Sequence, residues 1–460
     1  MEMSARSQLS PGGRTGKPLA GILSRRPNTD PPMISRLPRF LYALVWLPAL
    51  PLALLRLLWR ARRQPAYLAN LGERLGRYRH AAPRPSVWVH AVSVGETRAA
   101  EPLVRAILAQ WPDHHVVLTA MTPTGRETAQ SLFGGEGRIV SVYLPYDVGL
   151  CVDGFLDHFQ PTFGVIMETE LWPTLLARCR ARAIPVMLAN ARLSARSAAR
   201  YARWPSLTRL TLGALATIGS QTEDDGRRLA ALGAHAVVTT GNIKFDITPP
   251  APLLALGRRF RARIGDRPVM LLASSRDGEE ALVIDAFARL ADPSVLLIIV
   301  PRHPQRFDTV AQLAEARGMR LRRRSDEAPI EASTRVWLGD SMGEMFAYYG
   351  CADVALIGGS WLPFGGQNLI EACAVGTPPV IGPHTWNFSQ IAEQAVAAHA
   401  AARAEDAADG VRIALALLKD ADRRRERADA CRTFAAAHTG ATQRSVALIE
   451  AMLTGFPAAH

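Results

Sequence analysis

The sequence predicts an α/β protein of two doubly wound, Rossmann-like domains with a ligand cleft between them, preceded by a membrane-anchoring helix. Three observations predict it. A charge-free apolar run lies near the N-terminus between arginines, short β-branched runs then alternate with helical patterns, and a second alternating series follows a proline-rich junction. Strand and helix in alternation imply a parallel sheet covered on both faces. Two such halves in tandem place a cleft between the C-terminal edges of their sheets.

Residues 1–32, rich in Ser, Pro, Gly and Arg and without apolar periodicity, read as a disordered tail, and Met33 opens sequence of a more ordered kind. Residues 33–64 read as the anchor. The run from Phe40 to Leu55 carries no charge, and Arg36 and Arg39 precede it while Arg56, Arg60, Arg62 and Arg63 follow. It is short of the roughly 20 apolar residues a bilayer span needs. Tyr42, Trp46 and Trp59 suit an interface, and the arginines suit anionic headgroups. No small-residue cleavage site follows, which argues against a signal peptide.

The first series of strands is expected at 86–92, 115–121, 137–145, 163–169, 185–191 and 216–221, in a domain spanning 65–245. Residues 246–268, with Pro249, Pro250 and Pro252, read as a linker and lead-in helix. A second domain over 269–460 holds strands at 268–275, 295–302, 334–340, 354–360 and 378–383.

The chain has 460 residues, enough for two or three domains, and 48% of them are hydrophobic, enough for packed cores. Its 54 Lys+Arg against 41 Asp+Glu leave a formal charge of +13, which favours an anionic partner: nucleic acid, an acidic membrane or a phosphorylated substrate. No basic–aromatic interleaving or nucleic-acid motif is present, so nucleic acid is not expected. Cys151, Cys179, Cys351, Cys373 and Cys431 form no CxxC pair and read as buried free thiols. Neither a metal nor a cofactor is assigned. The acidic run Glu223–Asp225 follows Thr222 and reads as a helix start.

Five constellations fall at strand ends, where open α/β sheets bind ligands. His90–Glu96 (HAVSVGE) places Glu96 in the first turn of a helix, where it serves either as a cap or as a site carboxylate. Met167–Pro173 (METELWP) places Glu168 and Glu170 together, and paired carboxylates in a cleft shift each other's pKa. Gly241–Asp246 (GNIKFD) puts Lys244 at the junction of the halves, where a cation can neutralise a donor's phosphate. Arg302 and His303 in VPRHP end an apolar strand and suit an anion. Gly358–Glu371 (GGSWLPFGGQNLIE) is a glycine-rich loop entering a helix near Gln367, a place for a nucleotide phosphate with Glu371 on ribose hydroxyls. It has neither Walker nor dinucleotide spacing. A further small-residue loop, with Gly343, Glu344 and Met345, opens another helix on the same half.

In this order, with GPHTWNF at 382–388, the motifs resemble those of the bacterial Kdo (3-deoxy-D-manno-octulosonic acid) transferases, from about Met33 to the C-terminus. The resemblance implies a GT-B fold and transfer of Kdo from CMP-Kdo to a lipid A precursor, inverting and metal-independent, at the cytoplasmic face of the inner membrane. It makes Glu96 the general base and Glu170 and Lys244 the groups that stabilise the transition state. CMP falls to Arg302 and His303, to Gly343, Glu344 and Met345, and to Asn368, Leu369, Ile370 and Glu371. A doubly phosphorylated lipid acceptor in an anionic leaflet also gives the charge a destination. Arg192, Arg196, Arg200 and Arg203, at helical spacing, are candidates for its phosphates. This chain departs from the family's GGHNPLE pattern: the His and the Pro are absent, while Asn368 and Glu371 remain. Another GT-B nucleotide-sugar transferase or epimerase is the alternative that fold alone leaves open.

Overall fold

The computed structural model describes residues 37–455, apart from 63, 80, 327 and 328. The predicted tail, 1–32, lies outside the described residues, as do residues 33–36 and 63 of the predicted anchor. The described residues form two units: one up to Ile243 together with those from Gly440 onward, the other from Lys244 to Thr439.

Among the described residues the first unit begins with helix α1 (Leu37–Ala61), a helix long and apolar enough to cross a membrane. Its sheet holds β1 (Ser86–His90), β2 (His115–Ala120), β3 (Ile139–Tyr143), β4 (Phe163–Met167), β5 (Val186–Ala191), β6 (Thr217–Ser220) and β7 (Val237–Thr239). They run in parallel in the order β3-β2-β1-β4-β5-β6-β7. The chain winds outwards in one direction from β1 and then in the other from β4, so the β1–β4 boundary is the switch point that leaves a crevice at the C-terminal edge. Helices α2 (Val94–Gln110), α3 (Gly149–Phe159), α4 (Pro173–Ala181), α5 (Ala195–Tyr201) and α6 (Pro205–Leu212) connect the strands. One apolar cluster joins Val87, Val89 and Val165 to Leu103 and Ile107 of α2; the other joins Trp88 and Ile166 to Phe155, Leu176 and Leu212. The strands are buried on both faces, as their unbroken apolar runs require.

The first α-helix of the second unit is α7 (Ala251–Ile264), and after it come β8 (Val269–Ser275), α8 (Glu279–Leu290), β9 (Leu296–Pro301), β10 (Leu321–Arg323), β11 (Val336–Leu338), α9 (Met345–Cys351), β12 (Val354–Ile357), α10 (Ile370–Val375), β13 (Pro379–Ile381) and β14 (Ala402–Arg403). The sheet is again parallel, in the order β10-β11-β9-β8-β12-β13-β14, with its switch point between β8 and β12. Both halves are therefore the doubly wound, GT-B-type units that the sequence predicts.

Three expectations change. The lead-in helix expected within 246–268 is present, but the segment is part of the second unit: Gly257, Phe260 and Ile264 form a helical stripe, and the Phe260 ring sits 5.0 Å from Trp337 and 5.3 Å from Tyr348 in that unit's core. The second unit does not extend to 460. The helix Ala441–Thr454 belongs to the first unit, where Leu448, Ile449 and Met452 join Leu103 and Ile107. An amphipathic helix carries no mark of which sheet it covers. The helix after the glycine loop starts at Ile370 rather than near Gln367, because Asn368 turns the chain there by accepting the Ile370 amide at 3.0 Å.

Candidate active site

In the first unit the site starts from the two strands that flank the switch point. Past β1, Ser93 is the N-cap of α2 and Glu96 its third residue. The Glu96 carboxylate accepts the Val92 amide at 2.9 Å and the Ser93 hydroxyl at 3.1 Å. The bond reaches one residue beyond the N-cap amide that a capping box would use, and it ties the carboxylate to the backbone leaving β1. Glu96 thus does cap, and it stays only half-buried, so its charge still meets its surroundings.

Past β4 the backbone turns through Glu168 at φ 58°, a left-handed conformation that costs a non-glycine residue about 1 kcal/mol or more. Thr169 then exchanges hydrogen bonds with the backbone of Arg192, fastening the carboxylate turn to the end of β5. Glu170 follows, half-buried, with its carboxyl pushed up to about 7, by burial first and then by the negative charges of Glu96 and Glu168. The three acids therefore share one field across the switch point, and near neutral pH Glu170 holds its proton for much of the time. Tyr201 of α5 also feels Glu170: burial, and then that carboxylate, push its phenol up, while Arg200 opposes them.

Behind this edge His90 is fully buried. Its Nδ1 faces the Thr119 hydroxyl at 2.9 Å and the Thr119 carbonyl at 3.2 Å, and burial holds its pKa down at about 3. Trp172 stands edge-on to it at 6.1 Å. His90 is a neutral wall of the site.

The arginines are less regular than their spacing suggests. Arg196 and Arg200 lie on α5, whereas Arg192 precedes that helix and Arg203 follows it; all four are exposed.

In the second unit a cavity of about 390 Å³ opens at the β8–β12 switch point, within the roughly 300–1,000 Å³ range of small-molecule sites. Ser274, Arg302, Gly343, Glu344, Met345, Gln367, Asn368 and Glu371 line it. Of the predicted nucleotide residues it omits His303, which is exposed, and Leu369 and Ile370, whose side chains lie in the core. Burial pushes the Glu371 carboxyl up; the Arg302 guanidinium and the Asn368 side chain pull it back. The floor is close-packed backbone. There β8 bulges at Ser274, φ 54°, and the chain leaving β12 passes so near that a Cβ on Gly358 would meet the Ser274 carbonyl oxygen at 2.4 Å.

The loop above this floor is held by a residue outside all five motifs. Glu279, fully buried in the first turn of α8, accepts the amides of Gly359 at 2.7 Å, Trp361 at 2.9 Å and Arg276 at 2.8 Å. Its neighbour Glu280, also buried, accepts the Ser275 hydroxyl at 2.9 Å and pairs with Arg306 at 3.1 Å. The signal that marks them is the tandem of acids shortly after a strand end, in SSRDGEE. Lys244 stands exposed in a short 3-10 turn, Ile243–Phe245, where the second unit begins. Among the described residues no group of three or more His, Cys, Asp or Glu is placed to hold a metal ion.

Comparison with known proteins adds an independent line. Residues 69–247 match the family model described as 3-deoxy-D-manno-octulosonic-acid transferase (kdotransferase), and residues 266–430 match that of glycosyl transferases group 1. The chain is 44% identical over 408 residues to the 3-deoxy-D-manno-octulosonic acid transferase of Bordetella pertussis, covering 85% of this chain and 94% of that one. It is 36% identical to the Haemophilus influenzae transferase of the same name, covering 85% and 92%. Among solved structures, the UDP-GlcNAc 2-epimerase of Neisseria meningitidis superposes with a TM-score of 0.53 at 17% identity, over 80% of this chain and all of that one, a likeness of fold alone.

Proposed function

Because this chain belongs to the 3-deoxy-D-manno-octulosonic acid (Kdo) transferase family, we propose that it moves Kdo from CMP-Kdo to a lipid A precursor, lipid IVA, with Glu96 as the general base. It is a glycosyltransferase of the GT-B type. The observation that carries the mechanistic reading is the set of three carboxylates, Glu96, Glu168 and Glu170, at the switch point of the first unit.

In this reading the Glu96 carboxylate accepts the proton of the acceptor hydroxyl as that oxygen attacks the anomeric carbon of Kdo, with inversion and without a metal. Its two hydrogen bonds from Val92 and Ser93 fix the carboxylate's direction before the hydroxyl arrives. Glu170, able to hold a proton near neutral pH, donates a hydrogen bond where negative charge is present. Lys244 supplies a cation for the charge that builds as CMP departs. Arg302, with Asn368 and Glu371, holds the CMP moiety, the guanidinium on the phosphate and the carboxylate on hydroxyls of the ribose. His303, Gly343, Glu344, Met345, Leu369 and Ile370 complete the donor contacts, the last two through their backbone. Arg192, Arg196 and Arg200 take the phosphates of the acceptor. The protein works at an anionic membrane, on the cytoplasmic face of the inner membrane, and its apolar N-terminal helix supports membrane attachment.

The test is an assay with CMP-Kdo and lipid IVA, wild type against Glu96→Ala, with UDP-sugars as the competing donors. Transfer by the wild type and its loss in the variant are expected. Full activity of the variant overturns the base assignment, and turnover of UDP-sugars but not CMP-Kdo overturns the substrate.

A further inference from the structure

Helix α1 is fastened to the first unit along most of its length. The Tyr42 hydroxyl donates to the Asp147 carboxylate, Trp46 lies 5.9 Å from the Tyr146 ring, Leu57 is buried, and the Arg60 guanidinium sits 5.4 Å over the Tyr67 ring. Between positions 42 and 60 the shielded residues are 42, 46, 49, 50, 53, 54, 57 and 60, which is a single helical stripe. The helix meets α4 and α6 on that side. Its opposite face is apolar and open: Phe40, Leu44, Leu47, Leu52, Leu55 and Leu58 are each more than two-fifths exposed.

A helix that crosses a bilayer has hydrocarbon or other apolar helices on every side. This one has a folded, arginine-bearing body along one side, with Arg178 and Arg180 in the last turn of α4 and Arg209 in that of α6. Carrying those charges into hydrocarbon is costly for each of them. An amphipathic arrangement, by contrast, sits in the interface plane with its apolar face roughly 5–10 Å deep.

Two further large apolar side chains are open in the same unit. Leu150, 86% exposed, follows the Tyr146–Asp147 pair that α1 touches, and Trp204, 70% exposed, is the N-cap of α6. Arg56, Arg62, Arg196, Arg200 and Arg203 are exposed basic residues of the same unit, matched to anionic headgroups. We propose that α1, with Leu150 and Trp204, lies in the plane of an anionic leaflet instead of crossing it.

The same contacts reach the carboxylates. Asp147, held by Tyr42, caps α4 by accepting the Thr174 and Leu175 amides at 2.9 and 2.7 Å, and Glu170 shortly precedes Thr174 in the chain. The membrane face thus borders the C-terminal sheet edge that carries Glu96 and Glu170. On the reading of the acceptor as a phosphorylated lipid, its sugar reaches these acids while its acyl chains stay in the leaflet.

All five native cysteines are buried, so single labels can be placed on the full-length chain. Leu41→Cys, Leu47→Cys and Leu55→Cys, spin-labelled and bound to vesicles of phosphatidylethanolamine with phosphatidylglycerol, are expected to report one common, shallow depth. A depth maximum at position 47 near the bilayer centre overturns the proposal. Leu150→Ser with Trp204→Ser, both at exposed positions, is expected to weaken vesicle partitioning about tenfold or more with an unchanged melting temperature; unchanged partitioning removes both residues from the surface. These measurements need neither donor nor acceptor, so they fail or succeed separately from the transfer assay.

Discussion

The Glu279 carboxylate accepts the Gly359 amide at 2.7 Å across 80 residues of sequence, joining the first turn after β8 to the glycine loop after β12. These two strands flank the second unit's switch point, so the bond ties together the two sides of the cavity there. A fully buried carboxylate without partners is strongly disfavoured. Burial does push the Glu279 carboxyl up, and the amides of Gly359, Arg276, Trp361 and Leu362 oppose that rise. Each side of the contact therefore requires the other.

Glu279→Gln replaces one accepting oxygen with an amide that faces donors. A hydrogen bond to a charged group contributes roughly 1.5–3 kcal/mol. The loop is expected to loosen, raising KM for CMP-Kdo about tenfold or more while kcat falls less. Calorimetric titration with CMP, which bypasses the acceptor, checks that the loss lies in donor binding.

Glu96→Gln separates capping from catalysis. The amide oxygen of Gln still accepts the Val92 amide, so the melting temperature should change little. As a base, however, Gln is useless, and kcat should fall by roughly 10²–10⁴. An enzyme that keeps its rate shows that Glu96 is a cap only.

Glu170 gives a pH signature. Its carboxyl is raised to about 7 in the folded chain from an ordinary 4.5, so the folded state prefers it protonated. Its favourable contribution is complete below pH 4.5 and is lost as pH rises through about 7. Glu170→Gln, neutral at every pH, is therefore expected to melt higher than wild type at about pH 8, with the difference shrinking towards about pH 5. Thermal scans at the two pH values decide it.

Arg302→Ala removes the guanidinium that offsets the burial of Glu371. Binding of CMP should weaken by about tenfold to a hundredfold, since a charged hydrogen-bonding partner is worth roughly 1.5–3 kcal/mol. The residual binding should also depend less on salt, which titrations at two ionic strengths measure.

The long central strands are legible in the sequence because residues such as Val87–Val89 and Leu296–Val300 form unbroken apolar runs, which a sheet covered on both faces requires. The edge strands β7, β10 and β14 are not. They are two or three residues long, and Leu321–Arg323 and Ala402–Arg403 carry arginines that mask a strand pattern. At the site, Glu96, Glu170, Arg302 and Glu371 stand out because acids and cations after apolar strands are conspicuous. Glu279 escapes notice because its role depends on amides 80 residues away, a pairing that sequence spacing does not display. Leu369 and Ile370 show the converse, since motif membership does not say which side chains turn inward.

The return of the last helix to the first unit has a consequence for how this protein is born. On the ribosome the first sheet emerges early, yet the segment that covers Leu103 and Ile107 is translated only after the whole of 244–439. The second unit therefore has its entire sequence available to fold before the first can seal its core, and until Leu448, Ile449 and Met452 arrive that face remains open. The helix Leu37–Ala61, with its open apolar face, is likewise translated long before that seal arrives, so on the proposed membrane attachment the order of synthesis lets capture precede completion.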